Sequence, residues 1–405
     1  MTTTTETTET TAPYTIISSD CHAGGNMKMY EEYLEDSWRD AFKEWRGAYS
    51  NPFRDLQDDG RSRNWDDERR INDLHADGVV AEITFPNTVP PFFPTGALIT
   101  YPPTDRAEYE RRLAGIHTHN RWLLDWCNEY PERRCGLPQV FLNDLDDTIA
   151  DLEWAAENGF RSFMLPAIPP DQGIPGLWDP HYDRLWAAVC DLDLTITQHG
   201  GSGGPNYGKA PAATLMFLME VPFFAHRNLG HLIMSGVFER FPELRFVMTE
   251  QGVGWVLEEL RRMDGYHAQM ASGRVGELGF AAELVLPMKP SEYFDRNVWI
   301  GASFPSPSEA DAIKELGVHR VMWGNDYPHN EGTFPNSRES LRRSFCDWDE
   351  ADLRTIFCDN AVEVYRFDAE VLAPYAAEHG PTVDEVATPL DEIPKGNWSP
   401  AFTRP

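Results

Sequence analysis

Asp20 and His22 stand two residues apart just after a short apolar run, 14–18. Side chains two apart in extended chain point the same way, so this D-x-H pair offers a carboxylate and an imidazole together, with Cys21 turned into packing. His199 follows another apolar run at 194–197, Glu250 follows 244–249, and Asp326 follows 321–324. Two imidazoles and two of these carboxylates form a mixed nitrogen and oxygen set that suits a divalent ion, zinc, manganese or iron. Each residue alone has a plainer reading. His199 fits a hydrogen-bonded core histidine, Glu250 a carboxylate within a polar network, and Asp326 the cap of the turn Asn325-Asp326-Tyr327-Pro328. What links them is position, since every one lies just past the end of a short apolar run.

Eight such runs punctuate the chain, at 14–18, 79–85, 137–142, 160–165, 194–197, 244–249, 298–301 and 321–324. Helical stretches separate most of them, at 66–77, 105–130, 144–158, 179–190, 213–241, 253–263 and 308–316, and two more at 350–358 and 360–367 close the unit. Strand and helix in alternation favour a parallel sheet, and eight units point to a closed (β/α)8 TIM barrel. A doubly wound sheet is the rival, but it asks for a glycine-rich first turn, and Asp20-Cys21-His22-Ala23-Gly24-Gly25 does not match G-x-G-x-x-G. On a barrel the strand ends converge at one mouth, where active sites are built. The folded unit spans residues 14–367, with insertions after strands one and two at about 25–65 and 86–103. Residues 1–13 read as a disordered Thr-rich leader without the parts of a signal peptide, and 368–405 as a tail that wraps the surface or stays mobile.

Composition narrows the functions. Of 405 residues, 65 are acidic against 35 Lys plus Arg, giving a formal net charge of −30. That excess argues against nucleic acid and anionic membrane surfaces, which both select Lys/Arg patches. No apolar run approaches the ~20 residues that span a bilayer. Six cysteines without a C-x-x-C pair fit a reducing cytoplasm. Candidates for a substrate pocket are Arg61, Arg63 and Trp65 in the first insertion, Phe92 and Phe93 in the second, and Trp255 after strand six. Together they suggest an apolar pocket with an anion handle, although each alone fits an exposed charge or an insertion core. His329, three past Asp326, either faces that pocket or ends the turn. His181 and His231 read as helix-associated packing or capping residues.

The segments IISSDCHAGG, ITQHGG, SGVFERFPELRFVMTEQGVGW, VMWGNDYPHNEG and IFCDNAVEVYRFD resemble the amidohydrolase superfamily, in the branch typified by aminocarboxymuconate-semialdehyde decarboxylase. The resemblance covers about 14–367. It implies one divalent metal held by Asp20, His22, His199 and Asp326, zinc first, with manganese or iron as alternatives. Two departures stand out: Asp20 replaces the first histidine of an H-x-H pair, and Glu250 takes the place of a histidine that acts on substrate in the decarboxylases. The stretch FMLPAIPP after strand four offers no lysine for carbamylation, in keeping with one ion. The expectation is therefore a metal-dependent hydrolase that cleaves an ester, amide, lactone or thioester with activated water, Asp326 and Glu250 being the catalytic carboxylates. The alternative is non-oxidative decarboxylation of an aromatic or unsaturated acid. A non-catalytic metal-binding protein is a third reading, disfavoured by the complete ligand set. A small-molecule substrate and a homodimer complete the expectation.

Overall fold

The computed structural model describes residues 12–50, 59–95, 100–170, 172–201 and 203–405. Eight parallel strands form its centre: β1 (Ile17–Ala23), β2 (Ala81–Pro86), β3 (Arg134–Gly136), β4 (Ser162–Met164), β5 (Thr195–His199), β6 (Arg245–Thr249), β7 (Val298–Ser303) and β8 (Val321–Gly324). They pair as two hydrogen-bonded runs, β1-β2-β3 and β4-β5-β6-β7-β8. Single bridges join both seams, Gln139 to Met164 and Cys21 to Tyr327. At the second seam His22 N donates to Tyr327 O at 2.6 Å and Asp326 N to Asp20 O at 2.9 Å. The eight strands thus close into a (β/α)8 barrel.

Period-two alternation divides the strand side chains between two packed layers. Phe246, Met248, Ile196, Ile300 and Trp323 join the layer shared with the surrounding helices. Val247, Trp299, Met322, Ile17 and Ile83 join a second layer, which includes Ala361, Val364 and Tyr365 of the helix Asn360–Tyr365. Both faces are buried, which is why these strands read as nearly continuous apolar runs.

Two strand positions depart from the sequence reading. β1 begins at Ile17 and runs to Ala23, so Asp20 and His22 lie within the strand, not after it. Its polar residues are buried because they have partners: Ser18 Oγ donates to Asn325 Oδ1 at 2.9 Å and Ser19 Oγ to Met322 O at 3.4 Å. β3 is Arg134–Gly136, ahead of the apolar 137–142 stretch, which continues as irregular chain. The 213–241 helix is two, Ala213–Met234 and Val237–Arg240, separated where Gly236 takes a left-handed φ of 72°. A short antiparallel hairpin, Arg274–Val275 with Leu278–Gly279, follows the helix Val256–Ala271.

The insertions pack on each other near the mouth. The first contains the helices Met27–Tyr33 and Arg39–Ala48, the former capped by Asn26. Phe42 and Leu34 cluster with Phe92 of the second insertion, and Trp45 Nε1 donates to Phe93 O at 2.9 Å. Parts of both insertions, 51–58 and 96–99, lie outside the described residues, as do residues 1–11 of the expected leader. Residues 368–405 lie against the barrel unit. Pro381 O accepts from Tyr14 N, Pro405 O accepts from Ser308 N, and Val386 and Phe402 are buried. Among the described residues no helix is long and apolar enough to cross a membrane, and the six cysteines are unpaired.

Candidate metal centre

β1, β5 and the turn after β8 bring ligand-type side chains around His22 in two overlapping trios, Asp20–His22–His199 and His22–Asp326–His329. His22 Nε2 lies 3.3 Å from Asp20 Oδ1 and 3.2 Å from Asp326 Oδ1. His199 Nε2 lies 3.5 Å from Asp20 Oδ1 and 3.2 Å from His22 Nε2. Donors held ~2.0–2.2 Å from a single tetrahedral ion would be spaced about 3.3–3.6 Å apart, so the Asp20–His22–His199 trio fits one cation, and Asp326 adjoins it through His22. Asp20 and Asp326 are fully buried, and Asp20 Oδ1 and Asp326 Oδ2 have no hydrogen-bond donor among the described residues. Two buried carboxylates beside imidazoles would be costly without a compensating charge. The donor set and its orphaned oxygens therefore suit a divalent ion.

Backbone shape aims two of the acids. Glu250 and Asp326 sit just beyond β6 and β8 with φ of 56° and 57°, a region side-chain-bearing residues seldom occupy. Such residues mark sites where the surroundings impose a conformation. Gly200 permits this packing, since a Cβ there would lie 2.4 Å from Glu250 O. Around the four sit positioning contacts. Ser303 Oγ donates to Asp20 Oδ2 and His199 Nδ1 to Gly200 O at 2.8 Å. Below His22, fully buried Arg70 donates to His22 O at 2.8 Å and to both oxygens of Glu82.

Charge is unevenly distributed. Burial opposes ionisation of Asp20, but the neighbouring imidazoles of His199 and His22 hold its carboxyl well below the usual range. Burial and the charges of Asp326 and Asp20 push Glu250 up to about 8 against the pull of His199. Burial also disfavours the charged form of His199, yet the carboxylates of Glu250 and Asp20 raise it to about 9. Glu250 Oε2 lies 3.4 Å from His199 Nδ1.

These groups open on a cavity of about 680 Å³. His22, His199, Glu250 and His329 line one part of it, and Phe85, Met164, Phe217, Val221 and Pro222 supply an apolar wall. His329 faces the pocket, stacked on His22 with ring centres 3.9 Å apart and its Nδ1 2.8 Å from Asp326 Oδ1. Sequence reasoning missed Ser303, because it ended strand seven at residue 301; the strand-end rule applied two residues later finds it. It missed the Phe217–Val221–Pro222 wall because a helical apolar stripe reads as core.

The expected anion handle is corrected. Arg63 pairs with Asp73 at 2.9 Å and lies over Phe334, Arg61 is exposed, and neither lines this cavity. Trp65 packs with the Tyr30 and Trp122 cluster, and Trp255 stacks on His226 at 3.7 Å. Phe92 belongs to the insertion core, and Phe93 lines a neighbouring cavity. Apart from exposed Arg61, a local partner captures each side chain. His181 and His231 are helix-associated, the latter edge-on to Trp178.

The family model described as Amidohydrolase matches residues 42–367. The chain belongs to the amidohydrolase family. It is 26% identical over 284 residues to a gamma-resorcylate decarboxylase of Rhodococcus jostii, covering 64% of this chain and 79% of that protein. It is 23% identical over 313 residues to the 2-amino-3-carboxymuconate-6-semialdehyde decarboxylase of Dictyostelium discoideum, covering 76% and 78%. Among solved structures, a dihydroxybenzoic acid decarboxylase from Polaromonas sp., crystallised with manganese and the inhibitor 2-nitroresorcinol, superposes with a TM-score of 0.59 at 19% identity. That match covers 87% of this chain and 97% of the other, and it bears on the fold.

The relatives overturn the expectation of hydrolysis, since they carry the names of decarboxylases. The error lay in letting Glu250 decide: one carboxylate in place of an imidazole still leaves a group able to carry a proton.

Proposed function

We propose that this protein is a metal-dependent, non-oxidative decarboxylase of an aromatic acid, with one divalent ion at Asp20, His22, His199 and Asp326. The observation that carries the reading is the trio of Asp20, His22 and His199 donor atoms, 3.2–3.5 Å apart, with Asp326 3.2 Å from His22, at the edge of an apolar-walled cavity. Decarboxylase relatives support the reaction type. Zinc and manganese both suit two imidazoles and two carboxylates. The manganese in the Polaromonas structure supports manganese here.

When bound, the ion supplies positive charge that fixes and polarises the acid's oxygens. The chain's own residues do the rest. Phe85, Met164, Phe217 and Val221 hold the ring and exclude water from it. As the bond between ring and carboxyl breaks, carbon dioxide leaves and the electron pair stays on the ring carbon. A proton must replace it, and Glu250 and His329 line the same cavity and are placed to hold that proton.

Metal content measured by plasma mass spectrometry tests the ligand set. Wild type reconstituted with manganese or zinc should hold about one ion per chain. Folded Asp326→Ala and His199→Ala proteins should lose most of it. A wild type that takes up neither ion, or variants that keep the full complement, would refute the assignment.

A further inference from the structure

A second cavity, of about 290 Å³, opens among the loops that follow β2, β3 and β4. It shares Pro86, Asn87 and Met164 with the metal cavity, so the two adjoin across the barrel mouth. Its walls are largely apolar, with Phe93, Ile116, Val140, Phe141 and Ile168 among them. Three buried polar side chains interrupt this lining: Thr88, whose hydroxyl pairs with that of Tyr30, Arg112, 2% exposed, and Gln139, 9% exposed.

Arg112 is held through its side chain and Gln139 through its backbone. Arg112 lies over the rings of Phe93 and Phe141, at 4.5 and 5.3 Å from their centres. Its Nη1 donates to Tyr101 O at 2.9 Å and to Glu108 Oε1 at 3.2 Å. The Gln139 backbone is clamped by Asn120, which accepts from its N–H at 2.9 Å and donates to its carbonyl at 2.8 Å. Yet Arg112 Nε and Gln139 Nε2 are buried without a hydrogen-bond partner among the described residues. Both are donors, and buried donors call for acceptors.

The metal cavity offers the opposite. Among the described residues no lysine or arginine lines it, and Glu250 and Glu331 do. A second anionic group on a substrate would meet no side-chain cation among these described residues, while Arg112, paired with Glu108 through Nη1, stands in the adjoining compartment.

We infer that the second cavity takes the distal part of an elongated acid, an apolar or aromatic ring ending in an oxygen acceptor such as a carboxylate or phenolate. The inference rests on the aromatic-acid reading for the near end of the substrate alone. Apolar walls select the body of the distal part, and Arg112 and Gln139 select its terminus.

Isothermal titration calorimetry on the full-length, manganese-loaded protein tests this with two probes. One is salicylate, and the other is salicylate extended by a second ring with a terminal carboxylate. The extended diacid should bind wild type at least about tenfold more tightly. That advantage should fall below about threefold in Gln139→Leu and in Ala167→Phe, while salicylate affinity stays within about twofold. Both substituted residues line the second cavity and not the first. A diacid that binds no better than salicylate, an advantage that survives both substitutions, or failure of wild type to bind either probe would overturn the inference. If the diacid alone binds, and the variants abolish it, the compartment stands and the aromatic-acid reading of the metal centre falls.

Discussion

Replacing Arg70 by methionine keeps most of the side-chain volume and removes the charge that holds Glu82 and His22 beneath the site. Arg70 and Glu82 are 0% and 2% exposed. The guanidinium donates to both Glu82 oxygens, to His22 O at 2.8 Å and to Arg63 O at 3.0 Å, and it lies 4.8 Å from the Tyr327 ring centre. Burial alone would raise the Glu82 pKa, but Arg70 brings it below the usual value. Breaking a buried pair from one side costs about 3–5 kcal/mol, because the remaining charge is left uncompensated. Arg134 Nε stays 3.6 Å from Glu82, which places the expected loss at the lower end, about 3 kcal/mol. Arg70→Met/Glu82→Leu should recover most of that loss, since apolar replacement of a whole buried pair is often neutral. Arg134 would keep Asp67 and the Trp126 carbonyl as partners. Equilibrium urea unfolding of the metal-free proteins, followed by tryptophan fluorescence, measures both differences without the stabilisation that metal binding adds. A loss under about 1 kcal/mol for the single variant, or a double variant no more stable than the single, would refute the reasoning.

Ser303→Ala removes the hydroxyl that orients Asp20, so manganese affinity measured by chelator competition should fall about 10–100-fold with the circular dichroism spectrum unchanged; unchanged affinity would contradict that role. Asp77 accepts from Ser337 N at 2.9 Å and from Ser337 Oγ, and burial raises its carboxyl to about 6. The unfolded chain ionises this group near 4, while the folded protein keeps the proton to about 6. Stability therefore falls as pH rises between those values, by about 3 kcal/mol, and Asp77→Asn should flatten that part of the urea-midpoint profile; parallel profiles would contradict it.

Much of the site was legible because its residues obey strand geometry. The two-residue spacing of Asp20 and His22, and the positions of His199 and Asp326 after short apolar runs, place them at one end of any parallel barrel. The boundaries of β1 were not legible. Ser18, Ser19 and Asp20 are polar yet buried, and the partners that make this tolerable, Asn325, Met322 and Ser303, are about 300 residues away in sequence. The fate of Arg63 was hidden for the same reason, since its choice of Asp73 depends on a three-dimensional neighbour. The left-handed turns at Glu250 and Asp326 leave no mark either, because neither residue is glycine. Nor does a metal-ligand set identify the bond to be broken: hydrolysis and decarboxylation can share one set of ligands, and relatives were needed to separate them.

The most direct test of the account is the fate of the carboxyl carbon. Manganese-loaded protein incubated with ortho-hydroxybenzoates labelled with carbon-13 at the carboxyl group should release labelled carbon dioxide and form the matching phenol, and both should be absent with metal-free or Asp326→Asn protein. A fully loaded protein that releases none, and instead forms new carboxylates from an ester, amide or lactone panel, would contradict it.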